Sequence, residues 1–238
     1  MNPRQSPAKL TPVHDAAREL GANFVDLAGW QMPQVFTTPE EEVTVARKSV
    51  ALADGSASGK IVVDGLPAEA ALQAAWAIPS LATGQGVLLD SKRVFRLRVD
   101  QFFIHVEPGT EGAVVETLTE AVDKSGELVT VTDITHGRAD LLLVGPQCTE
   151  LLSRLCSLDF HPSQFPDLCA KQGSVAKTRQ LLLRLDLKTR DEAPIPAFSV
   201  IGDRSLAAYL WQTILQAGQD LDLAPIGQSA LERLQAGN

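Results

Sequence analysis

Four histidines, three cysteines and a run of glutamates are the side chains of this 238-residue sequence with the most evident capacity for chemistry, and their spacing limits it. His14, His105, His136 and His161 are scattered, and no two stand four apart as a helical metal site requires. His136 stands out among them because Asp133, Thr135 and Arg138 flank it. The spacings of Cys148, Cys156 and Cys169 match neither a zinc pattern nor CxxC. Cys148 and Cys156 read as small packing residues, and the surroundings of Cys169 form no reactive motif. Ser56 and Ser58 lie between Gly55 and Gly59 without a GxSxG pattern, so that stretch reads as a turn. Glu40, Glu41 and Glu42 could ligate a metal, but directly after Thr38 and Pro39 they read as the solvated, acid-rich start of a helix. Asp90, in a short polar link between two apolar runs, reads as a hairpin-turn acid.

Composition narrows the function classes. The chain is 45% hydrophobic and 21% charged, as expected of a globular protein with a sizeable core. Its net charge of −8 argues against nonspecific attraction to nucleic acid or anionic lipid, although Lys92, Arg93, Arg96 and Arg98 could form a local basic cluster. No run of apolar residues reaches membrane-spanning length, and the first ten residues lack the apolar core of a secretion signal. The expectation is a cytoplasmic protein with no nucleic-acid or membrane partner.

The elements that must position these residues follow from periodicity. A short helix begins near Pro12 and stops at Gly21, and a second begins at Thr38. Between them Gly29, Trp30, Met32 and Pro33 form an apolar stretch outside any regular period, which predicts an irregular loop with its indole wedged between larger elements. From Lys60 the order is strand, helix, strands, helix, with strands at 60–64, 86–89, 94–99 and 102–107 and helices at 67–76 and 110–123. The order then repeats, with strands at 139–144, 175–186 and 197–202 and helices at 146–155 and 205–218. Gly65-Leu66-Pro67 answers Gly145-Pro146 in this repeat. Hairpins separated by returning helices predict an α+β fold of two split-βαβ-type antiparallel sheet units, each covered on one face.

Several stretches resemble the aminomethyltransferase (glycine-cleavage T-protein) family. They are TPVHDAARELGA, VDLAGWQMP and ARKSVALADGSASGK in the first 60 residues, then TDITHGRADLLLVGP, LDFHPSQFP and PIGQSALERLQAG from 132 to 237. The resemblance implies one discontinuous domain of residues 1–51 plus 134–238 with residues 52–133 inserted, and no counterpart of the family's third, β-barrel domain. It also implies tetrahydrofolate as cofactor and one-carbon transfer as activity. The LDFHPSQFP segment and the Ser205-to-Trp211 helix are also similar to the small subunit of heteromeric sarcosine oxidase. That likeness implies the alternative of a non-catalytic accessory or binding subunit with a protein partner in place of the barrel.

Carried over position by position, the resemblance makes Asp90 the catalytic carboxylate that polarises the reacting folate nitrogen, although the loop before Val94-Phe95 is several residues shorter than in the family. Phe95, with Trp30 and Met32, would supply apolar walls. Ser199 stands where a glutamate should hold the pterin, and Ser229 where an arginine should support the folate region. Arg184 keeps the place of a family arginine. These departures imply a degraded active site.

Overall fold

The computed structural model describes residues 9–188 and 193–236. In chain order the elements are β1 (Lys9–Leu10), α1 (His14–Glu19), β2 (Asn23–Leu27), β3 (Trp30–Val35), α2 (Pro39–Lys48), β4 (Ala51–Asp54), β5 (Gly59–Asp64), α3 (Ala68–Trp76), β6 (Gly86–Leu89), β7 (Lys92–Arg98) and β8 (Gln101–Val106). They continue with α4 (Glu111–Ser125), β9 (Thr130–Asp133), β10 (Arg138–Val144), α5 (Cys148–Leu155), β11 (Ala170–Val175), β12 (Thr178–Arg184), β13 (Ala197–Asp203), α6 (Ala207–Ala217), β14 (Ala224–Ile226) and α7 (Gln228–Ala236). Three sheets result: β1-β3-β2, β11-β12-β13-β10-β4-β14 and β6-β7-β8-β5-β9. The five-stranded sheet is antiparallel throughout, and the six-stranded one is antiparallel except where β14 runs parallel to β4. The chain therefore adopts the mixed α+β architecture expected from its sequence.

Strand alternation sends each large sheet's side chains to two different cores. On the outer face of the five-stranded sheet, Ile61, Val63, Val94, Phe102 and Ile104 pack against Leu72 of α3 and Leu118 of α4. On the outer face of the six-stranded sheet, Leu141, Leu143, Leu182, Phe198 and Val200 pack against Leu151 of α5 and Trp211 of α6. The inner faces meet each other: Phe95 and Phe103 from one sheet pack with Leu183 and Ile201 from the other. Burying each such aromatic or aliphatic side chain stabilises the fold by roughly 1.5–3 kcal/mol, so this inner cluster holds the sheets face to face.

Backbone bonds join the two sheets at one seam, and the chain itself crosses between them at the other. At one, Gly86 N–H donates to Leu168 O at 2.7 Å and Ala170 N–H to Gly84 O at 2.8 Å. At the other, Gly55 N–H donates to Asp140 O at 2.8 Å and Ile134 N–H to Lys60 O at 2.9 Å, each prolonging a ladder within its own sheet where the chain crosses. The repeated glycines have a shared geometric reason. Gly65 and Gly145 take φ of 141° and 135°, and a Cβ at either would strike backbone, that of Leu128 and Ser49 respectively.

Three sequence expectations are corrected. The Trp30 stretch is a hairpin: β2 and β3 pair around Ala28-Gly29, both at positive φ, with Gly29 N–H bonded to the Asp26 carboxylate at 3.0 Å. The strand predicted at 175–186 is a second hairpin, β11 to β12, turning at Ala176-Lys177, again both at positive φ. A further helix, α7, follows α6, beyond the final helix that the sequence pattern places at 205–218. Residues 51–54 form β4, which pairs with β10 in the six-stranded sheet. Among the described residues, no helix is long and apolar enough to cross a membrane.

Candidate functional site

Polar chemistry concentrates inside the sandwich, at the end bounded by the 55–58 and 134–137 crossings. Arg93, His105 and Lys60 are cross-strand neighbours on β7, β8 and β5, so their side chains form one row on the inner face of the five-stranded sheet. Asp140 on β10 faces that row from the other sheet, its Oδ2 2.9 Å from His105 Nε2. Lys60 is fully buried, its ammonium donating to the carbonyls of Ser58 at 2.7 Å and Ser56 at 3.2 Å. Asp54 is buried next to the crossing and accepts from Ser56 N–H at 3.0 Å.

Burial governs the electrostatics of this cluster. It pushes the Asp54 carboxyl above its ordinary pKa, and it pulls Lys60 below its own against the opposing charges of Asp140 and Asp54. His105 is lowered too, by burial first, with its hydrogen bond to Asp140 acting the other way. A neutral imidazole bonded to a carboxylate through Nε2–H leaves Nδ1 as an acceptor. Among the described residues that atom and Asp140 Oδ1 are buried without hydrogen-bond partners. The arrangement can hold or exchange a proton. Among the described residues no three His, Cys, Asp or Glu side chains are placed to hold a metal.

Trp30 and Met32 are 1% and 0% exposed and form their own buried group with Ala57 of the first crossing. The indole stacks on His136 of the second crossing at 5.0 Å, with Lys9 and Arg204 against it at 5.5 and 5.8 Å. The wedge expected of Trp30 is thus real, although a strand carries it.

The other sequence candidates disperse. Asp90 occupies a tight β6–β7 turn at φ 52°, with a side chain 93% exposed and Lys92 Nζ 3.7 Å away. Phe95 is fully buried in the inner cluster. Ser199 pairs with Leu142 and Leu183, so it projects to that same inner face and is 1% exposed. Arg184 pairs with Phe198 and faces the opposite side, where it grips Asp186 at 2.9 Å and the Phe165 carbonyl at 2.7 Å. Ser229 lies half-buried in the first turn of α7. Phe95 and Ser199 project to the same inner layer between the two sheets, and the other five positions lie elsewhere.

Two further readings change. Glu42 is not solvated: it is 2% exposed, and its carboxylate accepts from Phe36, Thr37 and Gly227 N–H at 2.6, 3.0 and 2.8 Å. Glu41 closes a capping box with Thr38, and Glu40 pairs with Arg233. The basic cluster also dissolves. Arg93 is in the seam, Arg96 is bonded to Glu69 at 2.9 Å, and Lys92 leans on Trp76.

A cleft of about 780 Å³ opens beside the Gly84–Gly86 seam, between residues 83–86 and Leu97 of one sheet unit and Leu158, Gln164 and residues 166–172 of the other. None of the seven positions above lines it.

The sequence model described as the GCVT N-terminal domain matches residues 13–237. An aminomethyltransferase of Saccharopolyspora erythraea is 26% identical, over 98% of this chain and 65% of its own. One from Streptomyces avermitilis is 29% identical, over 92% and 60%. The sarcosine oxidase alpha subunit of Corynebacterium sp. strain U-96 is 27% identical, over 97% of this chain and 26% of its own. Among solved structures, the glycine cleavage system aminomethyltransferase T from Bartonella henselae gives a TM-score of 0.80 at 21% identity, over 95% of this chain and 62% of that one. A chain of the heterotetrameric sarcosine oxidase from Corynebacterium sp. U-96 gives 0.66 at 21%, over 89% and 95%. The chain spans between 60% and 65% of the length of these two aminomethyltransferase sequences. With the sequence model matched over nearly the whole chain and the architecture shared, the protein belongs to the GCVT N-terminal domain family of aminomethyltransferase-like proteins.

Proposed function

We propose that this chain is an aminomethyltransferase-like protein of one-carbon metabolism whose transfer site is degraded, and that it acts as a non-catalytic accessory subunit with residual affinity for tetrahydrofolate. The observation that carries the reading is the position of Asp90. A carboxylate that positions or polarises a folate nitrogen must come within hydrogen-bond reach of it in a water-excluding site. Asp90 is instead 93% exposed on an outer turn, with Lys92 as its neighbour.

Ser199 supports the same reading. A hydroxyl in place of a carboxylate recovers at most one of two hydrogen bonds from a pterin edge, a loss of roughly 1–3 kcal/mol, or about tenfold to a hundredfold in affinity. Arg184 is already committed to Asp186. A subunit role is favoured by the exposed apolar side chains Leu66, Val99 and Leu128 on adjoining turns around Gly65, at 76%, 62% and 87% exposure.

The test is calorimetric titration of the purified protein with tetrahydrofolate, comparing wild type with Asp90→Ala. Equal, weak binding by both is expected. A loss of affinity confined to Asp90→Ala would return that residue to the site and overturn the reading.

A further inference from the structure

The five-stranded sheet ends at β9 with its backbone open. Ile134 N–H donates to Lys60 O at 2.9 Å, and the register sets Thr132 opposite Val62 and Thr130 opposite Asp64. Antiparallel ladders alternate, so the N–H and C=O groups of Thr130 and Thr132 point to β5, and those of Val131 and Asp133 point away from the sheet. Among the described residues, no backbone or side-chain group bonds to these four outward groups. Thr130, Thr132 and Asp133 are exposed, so the edge is open to solvent as well as unpaired.

An apolar patch continues the edge. Leu128 is exposed two residues before β9, and its carbonyl sits beside Gly65, next to exposed Leu66. The charges nearby are uneven. Arg98 is shared between Asp64 and Asp100 at 3.8 and 3.3 Å, and Lys124 is paired with Glu120 at 3.5 Å. Glu127 and Asp133 bound the stretch at its two ends, exposed and, among the described residues, in no ion pair. A second copy of the chain would bring the same two acids and another net charge of −8, so like charge disfavours a dimer through this edge.

We propose that β9 accepts an extended segment of a basic partner protein as a sixth strand. Its backbone bonds to Val131 and Asp133, its aliphatic residues run alongside Val131 and Leu128, and a lysine or arginine at each end meets Asp133 and Glu127. This partner strand rests on the accessory-subunit reading, and the two fail separately. Peptide binding beside folate-dependent turnover would sink only that reading, and absent peptide binding without turnover would sink only the strand.

The probe is the capped heptapeptide Lys-Thr-Val-Thr-Val-Thr-Lys, whose lysines and valines share one face when extended and whose order reads alike in either direction. It is added to the whole chain and followed by amide chemical shifts and hydrogen exchange, with the peptide carrying glutamate at both ends as control. The expected result is saturable shifts at millimolar peptide centred on residues 127–133, slowed exchange of the Val131 and Asp133 amides, and no response to the glutamate peptide. Glu127→Gln combined with Asp133→Asn should weaken binding about fivefold, as loss of two exposed ion pairs does, and keep the wild-type spectrum elsewhere. Leu128→Ser should weaken it as well. No response to the lysine peptide, shifts centred away from β9, equal binding of the glutamate peptide, or unchanged affinity in the folded double variant would each overturn the proposal. So would concentration-dependent self-association of the free chain that slows the same two amides.

Discussion

Replacing Glu42 by glutamine tests how the candidate positions are held together. Its carboxylate joins three elements: Phe36 and Thr37 at the exit of β3, α2 on which it sits, and Gly227 at the turn into α7. Trp30 and Met32 begin the same β3, and Ser229 follows the same turn, so one buried carboxylate sets the distance between them. Gly227 itself has no room for a side chain, because a Cβ would overlap the Gln34 carbonyl. An amide nitrogen cannot accept, so Glu42→Gln leaves at least one buried backbone N–H facing another donor. The cost of such an unpaired group is about 1–3 kcal/mol. Glu42→Ala removes all three acceptor contacts and should cost roughly 3–6 kcal/mol on the same scale. The assay is chemical denaturation followed by tryptophan fluorescence, with Glu40→Gln, an exposed ion-pair partner of Arg233, as the control. The expected order of midpoints is wild type and Glu40→Gln together, then Glu42→Gln, then Glu42→Ala. A Glu42→Gln midpoint indistinguishable from the Glu40→Gln midpoint would refute the reasoning.

Two other perturbations probe the sandwich interior. Burial holds the His105 pKa below its ordinary value of 6.5, so the folded state resists protonation more than the unfolded state does. Its contribution to stability is complete above the unfolded pKa and is lost as pH falls through the folded one. Asp54, raised by burial, acts with the opposite sign in acid. The destabilisation of wild type between about pH 7.5 and about pH 5 should therefore exceed that of His105→Gln, measured by denaturation at each pH. Parallel pH profiles would show that His105 does not titrate in this transition. At the other seam, a Cβ on Gly86 would overlap the Phe95 ring, so Gly86→Ala should cost about 1–3 kcal/mol by overpacking the inner cluster. A thermal midpoint equal to that of wild type would show that the ring has room to move.

The order of strands and helices was readable because each large sheet is one-sided toward its helices, and VFRLRV and ADLLLVG keep their periods. The β2–β3 hairpin carries a weak sequence signal because its turn is Ala28-Gly29 rather than Asn-Gly or Asp-Gly, and because Pro33 sits inside the strand. The seam cluster was invisible for a different reason. Arg93, His105, Lys60 and Asp140 become neighbours only through strand register, across separations that no spacing rule spans. A faint signal does exist: Lys60 directly precedes the apolar run Ile61-Val62-Val63, and Asp140 directly precedes Leu141-Leu142-Leu143-Val144, each a charge at the edge of a buried run. Asp90 stands in the exposed β6–β7 turn that its local chemistry indicates, and its catalytic role rests on the resemblance alone.

The degraded-site account is tested most directly by measuring one-carbon transfer to tetrahydrofolate by wild-type protein beside Asp90→Ala. The account predicts no folate-dependent turnover above the uncatalysed rate in either. Turnover by wild type that disappears in Asp90→Ala would contradict it.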